Sequence, residues 1–169
     1  MRLREENDGY DFMCTHVDDF KVVAKDPDKW TKSIGLKFQL KIVEKPRYYL
    51  GTDYTYSHDF KSHHIDCQTY IKESIQKIES HPMCNGKLFE HKTPMPDGVH
   101  PETDDSELLD VCGIKNYQIL IGMAQWAMCL SCLDIAFATS SLSRFNVNPR
   151  ENHLKLALHL FDYLKKYPN

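Results

Sequence analysis

The chain has 169 residues, a formal net charge of -3, 41% hydrophobic and 27% charged side chains, enough for one ordinary domain or two small ones with a buried core. No run of about 18 apolar residues occurs, so no membrane-spanning helix is expected, and the polar opening MRLREENDGYDF lacks the apolar stretch of a secretory signal. The net charge alone does not point to a nucleic-acid ligand, but it is unevenly spread: residues 20–47 carry seven Lys and one Arg against three acids, while residues 97–110 carry six acids and no Lys or Arg.

In chain order, residues 10–17 and 20–24 are rich in Tyr, Phe, Val and Thr and read as two strands joined by a tight turn that holds Asp18 and Asp19. KDPDKW then opens a helix, with Asp26 as N-cap and Pro27 at the first helical position. Trp30, Ile34 and Phe38, four apart, give it one apolar stripe, and Gly35 weakens it. RYYLGTDYTYS reads as a strand in which Gly51 marks a bulge or a close backbone approach, with HHID as a short partner strand. DCQTYIKESIQKIESHP reads as an amphipathic helix lined by Ile71, Ile75 and Ile78 and ended by His81-Pro82. Residues 83–113 are acidic and punctuated by Pro94, Pro96, Pro101, Gly86 and Gly98, as expected of a long connector at a subdomain boundary. Three helices follow. IKNYQILIGMAQWAMCL is apolar on most sides and is expected to be largely buried. LDIAFATSSLSRF forms the second. The third starts from Asn148 as N-cap, Pro149 at the first position and Glu151 in a capping box, then carries Leu154, Ala157, Leu158, Phe161 and Leu164 until Pro168.

The chemistry-bearing groups have competing readings. Two adjacent carboxylates at a turn can ligate hard divalent cations such as Mg²⁺, which take oxygen ligands and keep several waters. Two such ions about 4 Å apart can activate a 3'-hydroxyl and stabilise a leaving pyrophosphate. Like charges repel unless cations or hydrogen bonds compensate, yet an Asp-Asp pair is also common in plain solvated turns. The basic block after the pair either neutralises phosphates or forms a solvated Lys-rich face. His58, His63 and His64 read as surface histidines rather than a zinc site, having no Cys pair nearby. Cys129-x-x-Cys132 has no partner pair, so it reads as two buried or semi-buried thiols. The six scattered cysteines suit buried reduced thiols of an intracellular protein better than a disulfide framework.

The order of segments adds a further signal. THVDDF, YYLGTDY, YIKESIQKI, TPM, YQILIGMAQWAM, DIAFATSSLSRFNVNP and HLKLALHLFDYLKKYP occur in this sequence between Tyr10 and Tyr167. In that order they resemble the reverse transcriptase of copia-type long-terminal-repeat retrotransposons, part of the Pol polyprotein. The family carries a Y-V-D-D turn, a Y-F-L-G strand, an S-T-P-M connector and the pattern R-P-D-I-A-(Y/F)-A ahead of S-R-F-x-x-x-P.

The resemblance implies an α+β fold. Residues 1–66 would be a partial polymerase palm with the Asp-Asp hairpin, 67–82 a thumb-like helix, 83–113 a linker and 114–169 a helical connection-like subdomain. It implies that Asp18 and Asp19 are catalytic carboxylates holding Mg²⁺ or Mn²⁺, with Asp18 the stronger ligand. It also implies that His16, Val17 and Gly51 lie against primer or incoming nucleotide. His16 replaces the family's Tyr with a smaller ring that can protonate, and Cys132-Leu133 replace the Arg-Pro before Asp134. The expected partners are RNA or DNA template-primer, dNTP and the remainder of the polyprotein, its fingers-palm region and RNase H, in a cytoplasmic virus-like particle. The family's third catalytic Asp comes from that upstream region, and Asp11 is expected to lie too far along its strand to replace it, so the chain is expected to be inactive alone. The rival expectations are a non-catalytic nucleic-acid-binding relic and a relic with no biochemical role.

Overall fold

The structure is a computed structural model that describes residues 2–4, 10–59, 62–82, 84 and 86–168. It is a mixed α+β arrangement with two three-stranded antiparallel sheets and five α-helices among the described residues. The chain divides into two compact units, Met1–Lys45 and Pro46–Asn169. The division falls inside the stretch expected to be one palm portion, and not at the proline-rich segment.

In the first unit, β1 (Arg2–Arg4), β2 (Tyr10–His16) and β3 (Asp19–Val23) form a meander in that order. The register sets Phe12 opposite Val23, Cys14 opposite Lys21 and His16 opposite Asp19. Because side chains alternate along a strand, these pairs share one face with Tyr10, while Asp11, Met13, Phe20 and Val22 share the other. Helix α1 (Pro27–Gly35) begins as expected: the Asp26 carboxylate accepts the Lys29 N–H at 3.4 Å and Pro27 follows. Its Trp30 indole N–H donates to Asp11 at 2.7 Å, giving a carboxylate that is only 4% exposed a partner. The expected stripe stops at Ile34. The helix ends at Gly35, where backbone freedom makes helix costly, and Phe38 beyond it is exposed.

In the second unit, the segment expected to be one strand is a hairpin: β4 (Tyr48–Tyr49) and β5 (Thr52–Tyr56) joined by Leu50-Gly51. Both loop residues have positive φ, 51° and 86°, the pattern of the type I′ turn, whose twist matches that of paired strands. Strand β6 (His63–Asp66) pairs with β5 as expected, and α2 (Gln68–Glu79) buries Ile71, Ile75 and Ile78. Cys67, at the cap position of α2, makes no capping bond. Asp53 of β5 does so instead, accepting from the Thr69 N–H and hydroxyl at 2.8 Å each.

Helix α3 (Val111–Leu130) takes up the last residues of the expected connector because Asp110 caps it, accepting the Gly113 N–H at 2.7 Å. Only one side of α3 is buried, through Tyr117, Leu120, Ile121, Ala124 and Ala127. Ile119 and Trp126 stand about 40% exposed. Helix α4 (Ala136–Ser143) follows a single 3-10 turn, and α5 (Glu151–Lys166) completes the core with Ala157, Leu160, Phe161 and Leu164.

The start of α5 differs from expectation. Leu109 N–H donates to Pro149 O and Glu151 N–H to Glu107 O, both at 3.0 Å, so residues 149–151 are held as a bridge to the preceding loop. The helix starts at Glu151, and His153 Nδ1 accepts the Arg150 N–H at 3.1 Å in place of an Asn148 cap. Of residues 83–113, read as a connector, residues 86–110 pack within this unit. Leu88 and Pro101 are buried, and Lys165 Nζ donates to Leu88 O at 2.8 Å.

Candidate metal and nucleic-acid site

The β2–β3 hairpin turns through two residues, Val17 and Asp18, with Asp19 the first residue of β3. Val17 has φ 51°. A β-branched residue in the left-handed region carries roughly 1–2 kcal/mol of strain, and strain of this kind persists only where surroundings impose it. Pairing of His16 with Asp19 projects both side chains from one face at the tip, while Asp18 sits in the loop itself. His16, Val17, Asp18 and Asp19 are all exposed, Val17 by 93%. No ion pair holds either carboxylate among the described residues. Two exposed carboxylates on adjacent residues fit a hydrated hard cation, which needs only a few protein oxygens.

The sheet face that carries His16 and Asp19 also carries Tyr10, Phe12 and Val23, each about half exposed. The other face has Trp30 bound to Asp11. Asp11 lies five residues before His16 on the opposite face and is committed to that indole, so it does not join the pair at the tip. Lys25, Lys29, Lys32, Lys37, Lys41 and Lys45 of the same unit are exposed.

Gly51 belongs to the second unit, and its expected close approach is real but has another neighbour. A Cβ there would sit 3.0 Å from Leu130 Cδ1 and 3.1 Å from Trp126 Nε1. The missing side chain makes room for α3.

The other candidates also sort themselves. His58, His63 and His64 are exposed, as surface histidines should be. Cys129 is exposed and Cys132 fully buried, so the C-x-x-C residues do not form a pair; Cys14 and Cys112 are exposed too, against the expectation of buried thiols. Cys132 instead meets Cys67, Sγ to Sγ 3.0 Å, with the Ser131 hydroxyl donating to Cys67 Sγ at 3.1 Å. Hydrogen bonds from Cys132 and Ser131 lower the Cys67 thiol, while its bond to Cys67 and burial push Cys132 up.

Two polar clusters were not read from the sequence. His153 is 2% exposed and stacks on Phe145 at 4.1 Å. Its Nδ1 accepts from Arg150, so Nε2 carries the proton and donates to Pro101 O at 2.9 Å. Beside it, hydrogen bonds from Ser106 and Asn152 outweigh burial and hold Asp104 below the usual carboxylate range. The second cluster is His91, His159 and Asp162, whose ligand atoms all lie within 4.8 Å of one another. Only the spacing of His159 and Asp162 on one helix face could have signalled it, since His91 lies far off in sequence.

No family model matches the chain. Over 173 aligned residues covering 96% of the chain, it is 26% identical to a Saccharomyces cerevisiae (strain S288c) protein named "Putative transposon Ty5-1 protein YCL074W". The chain spans about half of that relative, 51% of its length. No solved structure matches. The likeness relates nearly all of this chain to a transposon protein.

Proposed function

We propose that the chain is part of the reverse transcriptase of a copia-type retrotransposon, and that Asp18 and Asp19 are two of its catalytic carboxylates. The observation that carries this reading is the strained two-residue hairpin that presents both carboxylates, exposed and adjacent, at its tip. The relation to a transposon protein over 96% of the chain supports it. In this role Asp18 and Asp19 would hold Mg²⁺ or Mn²⁺, which supplies charge stabilisation for nucleotidyl transfer to a primer 3' end. His16 projects beside Asp19 and would flank the incoming nucleotide, with Val17 fixing the turn. Gly51 is left out of this site, because α3 uses the space its side chain would fill. The exposed Tyr10, Phe12 and Val23 suit a palm layer covered by other parts of the polymerase. Asp11 is committed to Trp30, so the remaining metal ligands belong to those other parts, and the isolated chain is inactive.

The experiment is a graft. Residues 10–24 replace the corresponding hairpin of an active copia-type reverse transcriptase, and primer extension is measured with Mg²⁺. Retained activity that vanishes with Asp18→Asn supports the assignment. A folded graft that is inactive, or whose activity survives Asp18→Asn, refutes it. Robust extension by the isolated chain would refute the need for further carboxylates.

A second reading, a nucleic-acid-binding module without catalysis, draws on the exposed lysines between Lys25 and Lys45. Duplex binding should then weaken with salt, by a slope of about -0.9 per phosphate neutralised. Binding that ignores salt would exclude it.

A further inference from the structure

We propose that His91, His159 and Asp162 form a binding site for a borderline divalent metal ion of the zinc class, which ties the segment around residues 88–93 to α5. The site is in the second unit and independent of the Asp18–Asp19 pair.

The donors are of the right type. Two imidazoles and one carboxylate select zinc-like ions over Mg²⁺, which favours all-oxygen surroundings. The spacing is close to what coordination needs. Donors around one tetrahedral zinc lie roughly 3.3 Å apart, given Zn–N and Zn–O distances of about 2.0–2.1 Å. His91 Nε2 and Asp162 Oδ2 are already 3.6 Å apart, and all three ligand atoms fall within 4.8 Å. Three protein donors leave a fourth position for water.

The supporting contacts resemble those that surround metal ligands elsewhere. A ligating histidine usually donates its other N–H to a carbonyl or carboxylate, and a ligating carboxylate is usually hydrogen-bonded in turn. His159 Nε2 bonds the Thr93 carbonyl at 3.0 Å; a carbonyl can only accept, so this nitrogen carries the proton and Nδ1 keeps its lone pair. Asp162 Oδ1 accepts the Phe89 N–H at 2.6 Å, which leaves Oδ2 facing His91.

The site also answers a local electrostatic problem. Asp162 is 6% exposed, and a buried carboxylate is costly without a cation or several hydrogen bonds. The nearest lysine of its helix, Lys165, is spent on Glu79 and the Leu88 carbonyl. The two imidazoles stack at 4.0 Å between centroids with planes 29° apart. Binding requires one ring to turn so that both lone pairs meet, and His91, on a loop with its side chain 44% exposed, has room to do so.

The test uses the full chain, stripped with a chelator and titrated with Zn²⁺ by calorimetry and with Co²⁺ by visible absorption. One site with Kd in the micromolar range or tighter is expected, with the intense d–d bands of four-coordinate Co²⁺. His91→Ala and Asp162→Asn should each weaken it at least tenfold. The first changes a loop side chain, so its fold is expected to persist, and amide NMR spectra check this. The double variant His63→Ala, His64→Ala should bind like the parent. Failure of the parent to bind at micromolar Zn²⁺, or parent-like binding by a folded His91→Ala variant, overturns the site. Loss of binding in the His63/His64 variant would overturn it as well, by moving the ion elsewhere.

Discussion

Replacing Gly51 with Ala tests whether the β4–β5 turn and the α3 contact are both required. Two costs add. The residue sits at φ 86°, where an L side chain is strained by roughly 1–2 kcal/mol. The new methyl would also lie 3.0 Å from Leu130 Cδ1 and 3.1 Å from Trp126 Nε1, inside ordinary contact distance. Overpacking costs roughly 1–3 kcal/mol, and here the low end applies, because Leu130 and Trp126 are partly exposed and can give way. The sum is about 2–3 kcal/mol. With a urea m-value of about 2 kcal/mol/M, the unfolding midpoint of the second unit should fall by about 1 M, read by Trp126 fluorescence in a Trp30→Phe background. Adding Leu130→Ala removes the nearer atoms and should leave mainly the φ cost, so the double-mutant cycle should show a coupling of about 1 kcal/mol. A loss below about 0.5 kcal/mol for Gly51→Ala, or a cycle with no coupling, would refute the close approach.

Glu79 has its ordinary value of 4.5 lowered first by the hydrogen bond from Lys165, 2.8 Å away, so this contact stabilises the fold fully above that value and is lost as pH falls through the depressed one. Both groups are partly exposed, so the effect is about 1 kcal/mol or less. It should appear as lost amide protection at Leu88, whose N–H donates to Glu79, as pH falls below 4.5, and Lys165→Met should remove that step. His153→Ala should cost about 2–4 kcal/mol in chemical denaturation, since it opens a cavity beside Phe145 and orphans the Pro101 carbonyl; a loss under 1 kcal/mol would contradict its buried bonding. A thiol reagent should modify Cys14, Cys112 and Cys129 quickly and Cys67 and Cys132 only on unfolding, so fast modification of either buried thiol in native protein would count against their burial.

Where local signals are strong, sequence reading and structure agree closely. A hairpin here follows from two β-rich runs, although its turn is Val17-Asp18, one residue before the expected Asp18-Asp19 pair, and the start of α1 follows from Asp26-Pro27. The buried stripe of α2 follows from isoleucines three and four apart. The misreadings share a cause. YYLGTDY looks like one strand because nothing local says that Leu50 will take positive φ beside Gly51. Asn148-Pro149 looks like a helix start because the bridge to Leu108, forty residues away, cannot be seen in a short window. The proline-rich stretch looks like a linker because its anchors, Asp162 and Lys165, lie on a helix far along the chain. The candidate site was legible in the carboxylate pair itself; the commitment of Asp11 to Trp30 and of Gly51 to α3 was not.

By itself, then, the sequence determines the hairpin that shows two carboxylates, the basic segment after it, and the amphipathic helices, because hydrophobic period and capping act within a few residues. Only the tertiary structure decides which scattered groups meet. Cys67 with Cys132, His153 with Pro101 and Asp104, and His91 with His159 and Asp162 are brought together by helix packing and loop anchoring. Those contacts depend on where distant segments settle against one core, and no local spacing encodes that.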